Sequence, residues 1–317
     1  MGTIVHKVME GLGKAKKAVQ DGKDFIDDDV FGHLLFKSEA LNTDGFVELL
    51  FHKSYEHYTK RSIHTYVEKE RLQLLAWTWK PLHLLDGIFD PRKRDIVSPE
   101  LHFDFEIPDE WAKYKYELDN GEILEGRLAL KGTIDLVTKV TDTIFESIDW
   151  KTGQRLDWAS RKQWPHNIKT YEKLLVDPQL RIYHYALHKT FPDVKQFVPT
   201  IYFINDHGTR TKPVPGGAFT MAYGHGDLID TMAMVRQRFE EIKNTSRPQL
   251  IKSWKCTSFC HFGKTKHKSK EINPATGEEY TICEYIAKRV REVGIGKVIQ
   301  QETHHTHHIS NYQSPGE

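Results

Sequence analysis

Long apolar runs are missing from this chain: no stretch approaches the roughly 20 residues that a membrane-spanning helix needs. The first twenty residues, MGTIVHKVMEGLGKAKKAVQ, lack the apolar core and cleavage site of a secretory signal, and His6 stands where myristoylation wants Ser or Thr. The cytosol is therefore the expected compartment, with no membrane partner. Cysteine is scarce as well. The three present, Cys256, Cys260 and Cys283, are an odd, clustered set, which argues against a disulfide framework and for a metal site first. Net charge is almost absent, with 45 Lys+Arg against 44 Asp+Glu, and taken alone this counts against a nucleic-acid partner. No internal repeat is visible.

What is present points to a folded protein. Hydrophobic residues make up 38% of 317 and the aromatics include 16 Phe, 13 Tyr and 7 Trp, enough to build a core and too much for a disordered chain. The near-zero net charge conceals a segregation. Residues 86–125 carry 12 acids and 5 bases, 151–173 carry 6 bases and 2 acids, and 247–300 carry 11 bases and 5 acids. A neutral protein can thus present basic surfaces to a polyanion.

Residues 1–30 read as a polar, partly mobile lead-in closed by DFIDDD. Glu48 to Trp79 contains no Gly or Pro and carries apolar residues at helical spacing, predicting one long helix broken at Pro81. After Ser98 the pattern alternates: LHFDFEI, YKYEL, ILEGRLAL, GTIDLVTKV and IFESIDWK predict a run of antiparallel strands. Residues 154–175 read as a basic loop. Asp177-Pro178 is an N-cap followed by proline at the first helical position, opening a helix that ends near Phe191. FVPTIYFIND then returns to the sheet as a strand, and further helices are predicted at 227–243 and 283–293.

The chemistry concentrates in GTIDLVTKVTDTIFESIDWKTG, residues 132–153. A hairpin turning about Asp142 pairs residues whose numbers sum to 284, which sets Asp135 against Asp149 with Cβ atoms ~4.5–5.5 Å apart. Lys151, two residues beyond Asp149, shares its face. Two carboxylates so close repel unless a cation lies between them, and hard oxygen ligands suit Mg²⁺ or Mn²⁺. Such an ion with a lysine beside it suits phosphodiester hydrolysis. Taken alone, D-x-K reads more readily as a surface hairpin with solvated charges. Gln179 and Tyr183, four apart on the first turns of the next helix, face one way.

The succession of a helix with His64, strands, G-x-x-D, D-x-K-T-G and Q-x-x-x-Y resembles the PD-(D/E)XK nucleases of the RecB type, a group that includes CRISPR-associated adaptation nucleases and many bacteriophage exonucleases. The resemblance implies an α/β, restriction-endonuclease-like core over 31–250, with a central mixed β-sheet flanked by helices. A Cys-containing basic appendage would follow over 251–300 and a disordered His-rich tail over 301–317. It implies that Asp135, Asp149, His64 and the Trp150 backbone carbonyl hold the metal, that Lys151 is the catalytic lysine, and that Gln179 and Tyr183 contact both the strand and the active site. Glu100 matches a more variable acid. The implied partners are DNA ends and a recombination or replication protein; the implied activity is a Mg²⁺- or Mn²⁺-dependent deoxyribonuclease, an exonuclease of recombination, repair or phage DNA processing. A non-catalytic DNA-binding or assembly subunit that keeps the fold is the alternative, and RNA is a further substrate for the same chemistry.

Many relatives pin an iron–sulfur cluster with one cysteine before the core and three after it. Here no cysteine precedes residue 256, so one chain cannot supply four. A zinc site of Cys256, Cys260, Cys283 and His267 or His261 stands against three ordinary buried thiols. Arg155, Arg161 and Lys162, interleaved with Trp158 and Trp164 directly after Lys151, suit phosphate contact and base stacking. Trp150, pointing away from the site face, reads as a core residue.

Overall fold

The alternation read after Ser98 resolves into strands, the first of which starts earlier, at Asp95. A computed structural model of the chain describes residues 2–62, 64–117, 123–157, 162–244 and 268–294. In chain order it contains α1 (Gly2–Gln20), β1 (Phe25–Asp28), β2 (Gly32–Leu35), α2 (Asp44–Lys60), α3 (Glu68–His83), β3 (Asp95–Glu106), β4 (Lys113–Glu117), β5 (Ile123–Arg127), β6 (Ala129–Thr141) and β7 (Ile144–Lys151). There follow α4 (Tyr171–Leu175), α5 (Pro178–Thr190), β8 (Gln196–Phe203), β9 (His207–Gly208), β10 (Pro213–Val214), β11 (Gly217–Thr220), α6 (His225–Lys243), β12 (Lys268–Ile272), β13 (Glu279–Thr281) and α7 (Ile282–Val293). The chain forms two compact units, Met1–Phe105 with Leu130–Val235, and Glu106–Ala129 with Arg236–Glu317.

The first unit holds a five-stranded sheet in the order β11-β8-β7-β6-β3. β6 and β7 are antiparallel, β7 and β8 parallel, and β8 and β11 antiparallel, so the sheet is mixed. Parallel neighbours need a crossover, and α5 provides it between β7 and β8. This is an α/β, restriction-endonuclease-like architecture with a central mixed sheet flanked by helices. The hairpin register is the one the alternation predicts, Leu136↔Ile148 through Lys139↔Phe145, with a one-residue shift before Thr141↔Ile144 at the turn.

Two expectations are corrected. Residues 2–20 are not a mobile lead-in: α1 buries Ile4, Val5, Val8, Met9 and Leu12, spaced to form one stripe, against α2, α3 and the sheet residues Leu136, Ile148 and Trp150. Each such side chain contributes roughly 1.5–3 kcal/mol by leaving water. Gly13 permits this packing, since a Cβ there would lie 3.3 Å from Leu136 Cδ1 and 3.2 Å from Pro99 Cβ. The long helix over 48–79 is also two helices. After Lys60 the segment containing Ser62, Thr65 and Val67 holds residues that favour caps and strands over helix, and Ser62 Oγ accepts from the His64 amide at 3.1 Å. Pro81 does not end α3, which runs on to His83.

The second unit contains the β4–β5 hairpin, paired from Lys113↔Arg127 to Glu117↔Ile123, and the β12–β13 hairpin leading into α7. Thr281 caps α7 in a reciprocal box with Glu284: the Glu284 amide donates to Thr281 Oγ1 at 3.3 Å and the Thr281 amide to Glu284 Oε2 at 3.1 Å. Among the described residues no helix is long and apolar enough to cross a membrane.

The acidic run DFIDDD anchors α1. Lys7 Nζ lies 2.9 Å from Glu10 Oε1, 2.9 Å from Asp28 Oδ2 and 2.8 Å from Asp29 Oδ1, while Lys14 pairs with both Glu10 and Asp28. The Asp28 side chain is fully buried, and its Oδ1 also accepts from the amides of Val30 at 2.8 Å and Phe31 at 3.2 Å. Burial works to raise the Asp28 carboxyl, but hydrogen bonds from Lys14, Lys7 and the Val30 amide hold it well below the carboxylate range. Removing one partner from such a node strands buried charge. Asp28→Ala is expected to destabilise the protein by about 3–5 kcal/mol in urea denaturation. Because the carboxyl is depressed, the wild-type advantage should be full above the ordinary Asp pKa of about 3.9 and decline as pH falls below it. A loss under about 1 kcal/mol would show that the cluster is worth no more than a surface pair.

Candidate active site

Asp135 and Asp149 stand one residue beyond the Leu136↔Ile148 pair at which the hairpin register begins, and the Trp150 amide reaches across to Asp135. Gly132, three residues before Asp135, is small for a steric reason: a Cβ there would come within 2.5 Å of the Phe103 ring. Phe103 in turn meets Tyr183 edge-on at 6.2 Å. The far end of β7 is pinned by β8, with Asp149↔Ile201 and Lys151↔Phe203 in register and the Ile204 amide donating to the Lys151 carbonyl at 2.9 Å.

Asp149 is 3% exposed. Lys151 Nζ donates to its Oδ1 at 3.0 Å and lies 2.7 Å from its Oδ2. That second oxygen is buried and, despite the short ion-pair distance, has no partner in hydrogen-bonding geometry. Asp135 Oδ2 accepts from the Trp150 amide at 2.9 Å and lies 3.3 Å from Nδ1 of His6, on α1. Burial is the main reason the Asp149 carboxyl is pushed up to about 6; the Lys151 charge opposes the rise and the Asp135 charge adds to it. His6 is shifted upward too: burial disfavours its charged ring, but the Asp135 hydrogen bond and the Asp135 and Asp149 charges outweigh that cost.

α5 supplies the other side of the site. Asp177 caps it by accepting from the Gln179 amide at 3.0 Å, and Gln179 Nε2 donates to Tyr183 Oη at 2.7 Å. Burial, then the Asp149 charge, pushes the Tyr183 hydroxyl up to about 12, so it stays protonated beside the acids.

The structure thus assembles Asp135, Asp149, Lys151, Gln179 and Tyr183, and brings His6 rather than His64 to the carboxylates. His64 follows α2 in the loop before α3, where its Nε2 lies 3.0 Å from both Glu70 carboxylate oxygens. The sequence did not single out His6: apolar residues at helical spacing in its segment hint at a helix, but the lysines and glycines suggest a lead-in, and nothing local points to Asp135. Trp150 has its ring in the core, 1% exposed. Glu100 sits at φ 55 within β3, a strained conformation for a residue with a side chain. Its carboxyl hydrogen-bonds Glu10, one turn of α1 beyond His6.

Arg155 is committed to packing, with Nε donating to the Pro215 carbonyl at 3.1 Å and its guanidinium 4.6 Å from the Phe219 ring centre. Lys162 is exposed. Arg161, Cys256, Cys260, His261 and His267 lie outside the described residues, while Cys283 stands half-buried on α7.

Among the described residues no three His, Cys, Asp or Glu side chains form a ready metal cage. The donor set nevertheless fits a hard divalent cation: two opposed carboxylates, an imidazole beside one of them, and a buried carboxylate oxygen without a hydrogen bond.

The family model described as the PD-(D/E)XK nuclease superfamily matches residues 1–265. A comparison with curated proteins finds no match.

The raised Asp149 carboxyl has a consequence for stability. Between its ordinary value of 3.8 and about 6, the folded protein holds a proton that the unfolded chain releases. The folded state therefore binds more protons, and stability falls as pH rises through that window. Asp149→Asn is expected to be more stable than the wild type in EDTA at about pH 8, by up to about 3 kcal/mol, with the difference closing below about pH 4. Urea denaturation at both pH values checks this. A variant no more stable than the wild type at the higher pH would mean that the Lys151 pairing already offsets the burial.

Proposed function

Because the chain belongs to the PD-(D/E)XK nuclease superfamily, we propose that it is a divalent-metal-dependent deoxyribonuclease, an exonuclease of the RecB type that works on DNA ends in recombination, repair or phage DNA processing. The observation that carries this reading is the buried Asp149, held beside Asp135 with one oxygen unsatisfied and Lys151 against it. A structural hairpin has no use for two acids so placed, since like charges at this separation cost stability.

Asp135, Asp149 and His6, with the Trp150 carbonyl, would hold Mg²⁺ or Mn²⁺, which when bound supplies charge neutralisation at the phosphate and a more acidic water. Lys151 is placed to exchange its Asp149 contact for a phosphate oxygen, fixing the scissile group and stabilising charge that develops on it. Gln179 and Tyr183 form one hydrogen-bonded unit on the first turns of α5, so the Tyr183 hydroxyl is oriented before substrate arrives. With its pKa pushed up to about 12, Tyr183 serves as a hydrogen-bond donor and not as a base. The partners of this reading are DNA ends and a recombination or replication protein, in the cytoplasm of the cell or host. The cysteine cluster is proposed as a separate Zn²⁺ site of Cys256, Cys260, Cys283 and His267, which elemental analysis of the purified protein decides.

Linear single- and double-stranded DNA incubated with Mg²⁺ or Mn²⁺, with an EDTA control and an end-blocked substrate, tests the assignment. Asp135→Ala, Asp149→Ala and Lys151→Ala are each expected to lower cleavage at least about 100-fold while DNA binding persists. Wild-type rates from Asp149→Ala would refute the reading, and binding without cleavage by the wild type would favour the non-catalytic subunit.

The two histidines separate cleanly. His6→Ala should raise the metal concentration needed for half-maximal cleavage by about 10-fold or more, whereas His64→Ala should leave it unchanged. The opposite ranking would return the ligand role to His64.

A further inference from the structure

Beside Lys151 the site face opens into a pocket of about 180 Å³. Its walls include Leu156, Ile201 and Phe203, and its polar rim includes Lys151, Lys169 and Gln179. Ile201 and Phe203 stand in parallel register with Asp149 and Lys151, so the apolar wall and the acid–lysine pair share one face of the sheet. The wall on the loop side is braced: Leu156 bridges to Ile168, the Lys169 amide donates to the Arg155 carbonyl at 3.1 Å and the Asp157 amide to the Asn167 carbonyl at 2.7 Å.

Size and chemistry narrow the occupant. The volume is several times the roughly 30 Å³ share of one water and below the roughly 300–1,000 Å³ of pockets that enclose whole ligands. It suits one planar ring better than a complete nucleotide. A second phosphate is the competing occupant, but the rim has no cation left for it: Lys151 is assigned to the scissile phosphate, and Lys169 Nζ donates to Asp177 Oδ2 at 2.8 Å. Three apolar walls suit a neutral ring. Gln179 gives one amide N–H to Tyr183, which leaves its second N–H and its carbonyl oxygen to pair with a base edge.

We propose that this pocket receives one unpaired nucleobase of the DNA strand, next to the phosphate held at Lys151. The proposal rests on the nuclease reading above and deepens it. A base seated beside the scissile phosphate has left its duplex, so the substrate class is single-stranded or frayed ends in preference to paired interior DNA.

Gly153 lines the pocket, and a Cβ placed there meets no atom within 4 Å, so a larger side chain can be added at the pocket without displacing protein. The test uses the full chain carrying Asp149→Asn, with Mg²⁺, and a short fluorescein-labelled single-stranded DNA read by fluorescence anisotropy. In a companion series one nucleotide at a time is replaced by a tetrahydrofuran abasic analogue. One position is expected to lose about tenfold in affinity when its base is removed. Adding Gly153→Leu should weaken binding of the intact strand by about as much and abolish the sensitivity at that position.

Equal binding of every abasic strand and the intact strand overturns the pocket assignment. If the wild type meanwhile cleaves DNA in a metal-dependent way, the nuclease reading survives that failure. A position-specific loss in a protein that never cleaves would keep the pocket and remove the nuclease reading; no binding of any strand would remove both. The abasic series leaves the pocket unaltered, so it decides the matter even if Gly153→Leu does not fold.

Discussion

Everything at the candidate site depends on the pairing of β6 with β7 in a register that puts two acids against one another at a buried position. Asp149 at 3% exposure cannot be hydrated as a free carboxylate would be, and Asp135 adds a like charge. The surrounding groups answer that cost one by one. Lys151 takes one oxygen of Asp149, the Trp150 amide and His6 take Asp135, and one Asp149 oxygen is left without a hydrogen bond. Two acids this close, with one oxygen ion-paired to Lys151 but short of a hydrogen bond, match the donor chemistry of a hard cation.

The sheet and helices around this pair serve its placement. α1 lies against the apolar side of β6 and β7 through Leu136, Ile148 and Trp150, and its first turns carry His6 to Asp135. The cluster of Lys7, Glu10, Lys14 and Asp28 fixes α1 to the β1–β2 turn, so an ion network that starts one residue after His6 holds that imidazole beside Asp135. On the other side α5 crosses over from β7 to β8, which is what a parallel neighbour requires. Its capped N-terminus is therefore delivered to the acids with Gln179 and Tyr183 on it.

The residues committed to packing set limits on the surface around the site. Arg155 follows Lys151 closely enough in sequence to suggest a phosphate contact, yet it is stacked on Phe219 and bonded to the Pro215 carbonyl. Its neighbour Leu156 joins Ile201 and Phe203 in a pocket wall. The loop after the lysine thus combines structural support with a mainly apolar recess.

Local pattern alone determined much of this protein. Alternation after Ser98 announced the strands up to Lys151, though β3 starts earlier, at Asp95, and because side chains alternate with period two, the same pattern specified the hairpin register that begins at Leu136↔Ile148. Asp177-Pro178 announced α5 because an N-cap and a proline at the first helical position are local chemistry. The choice between His6 and His64 was not legible, since both lie on or near helices and only the docking of α1 on the sheet brings one of them to an acid. For the same reason the lysines of α1 looked like solvated charge until their partners at Asp28 and Asp29 were in place. Pairings within a hairpin follow from adjacent sequence, whereas a contact between His6 and Asp135 depends on how distant elements pack, and packing is decided by the whole core at once.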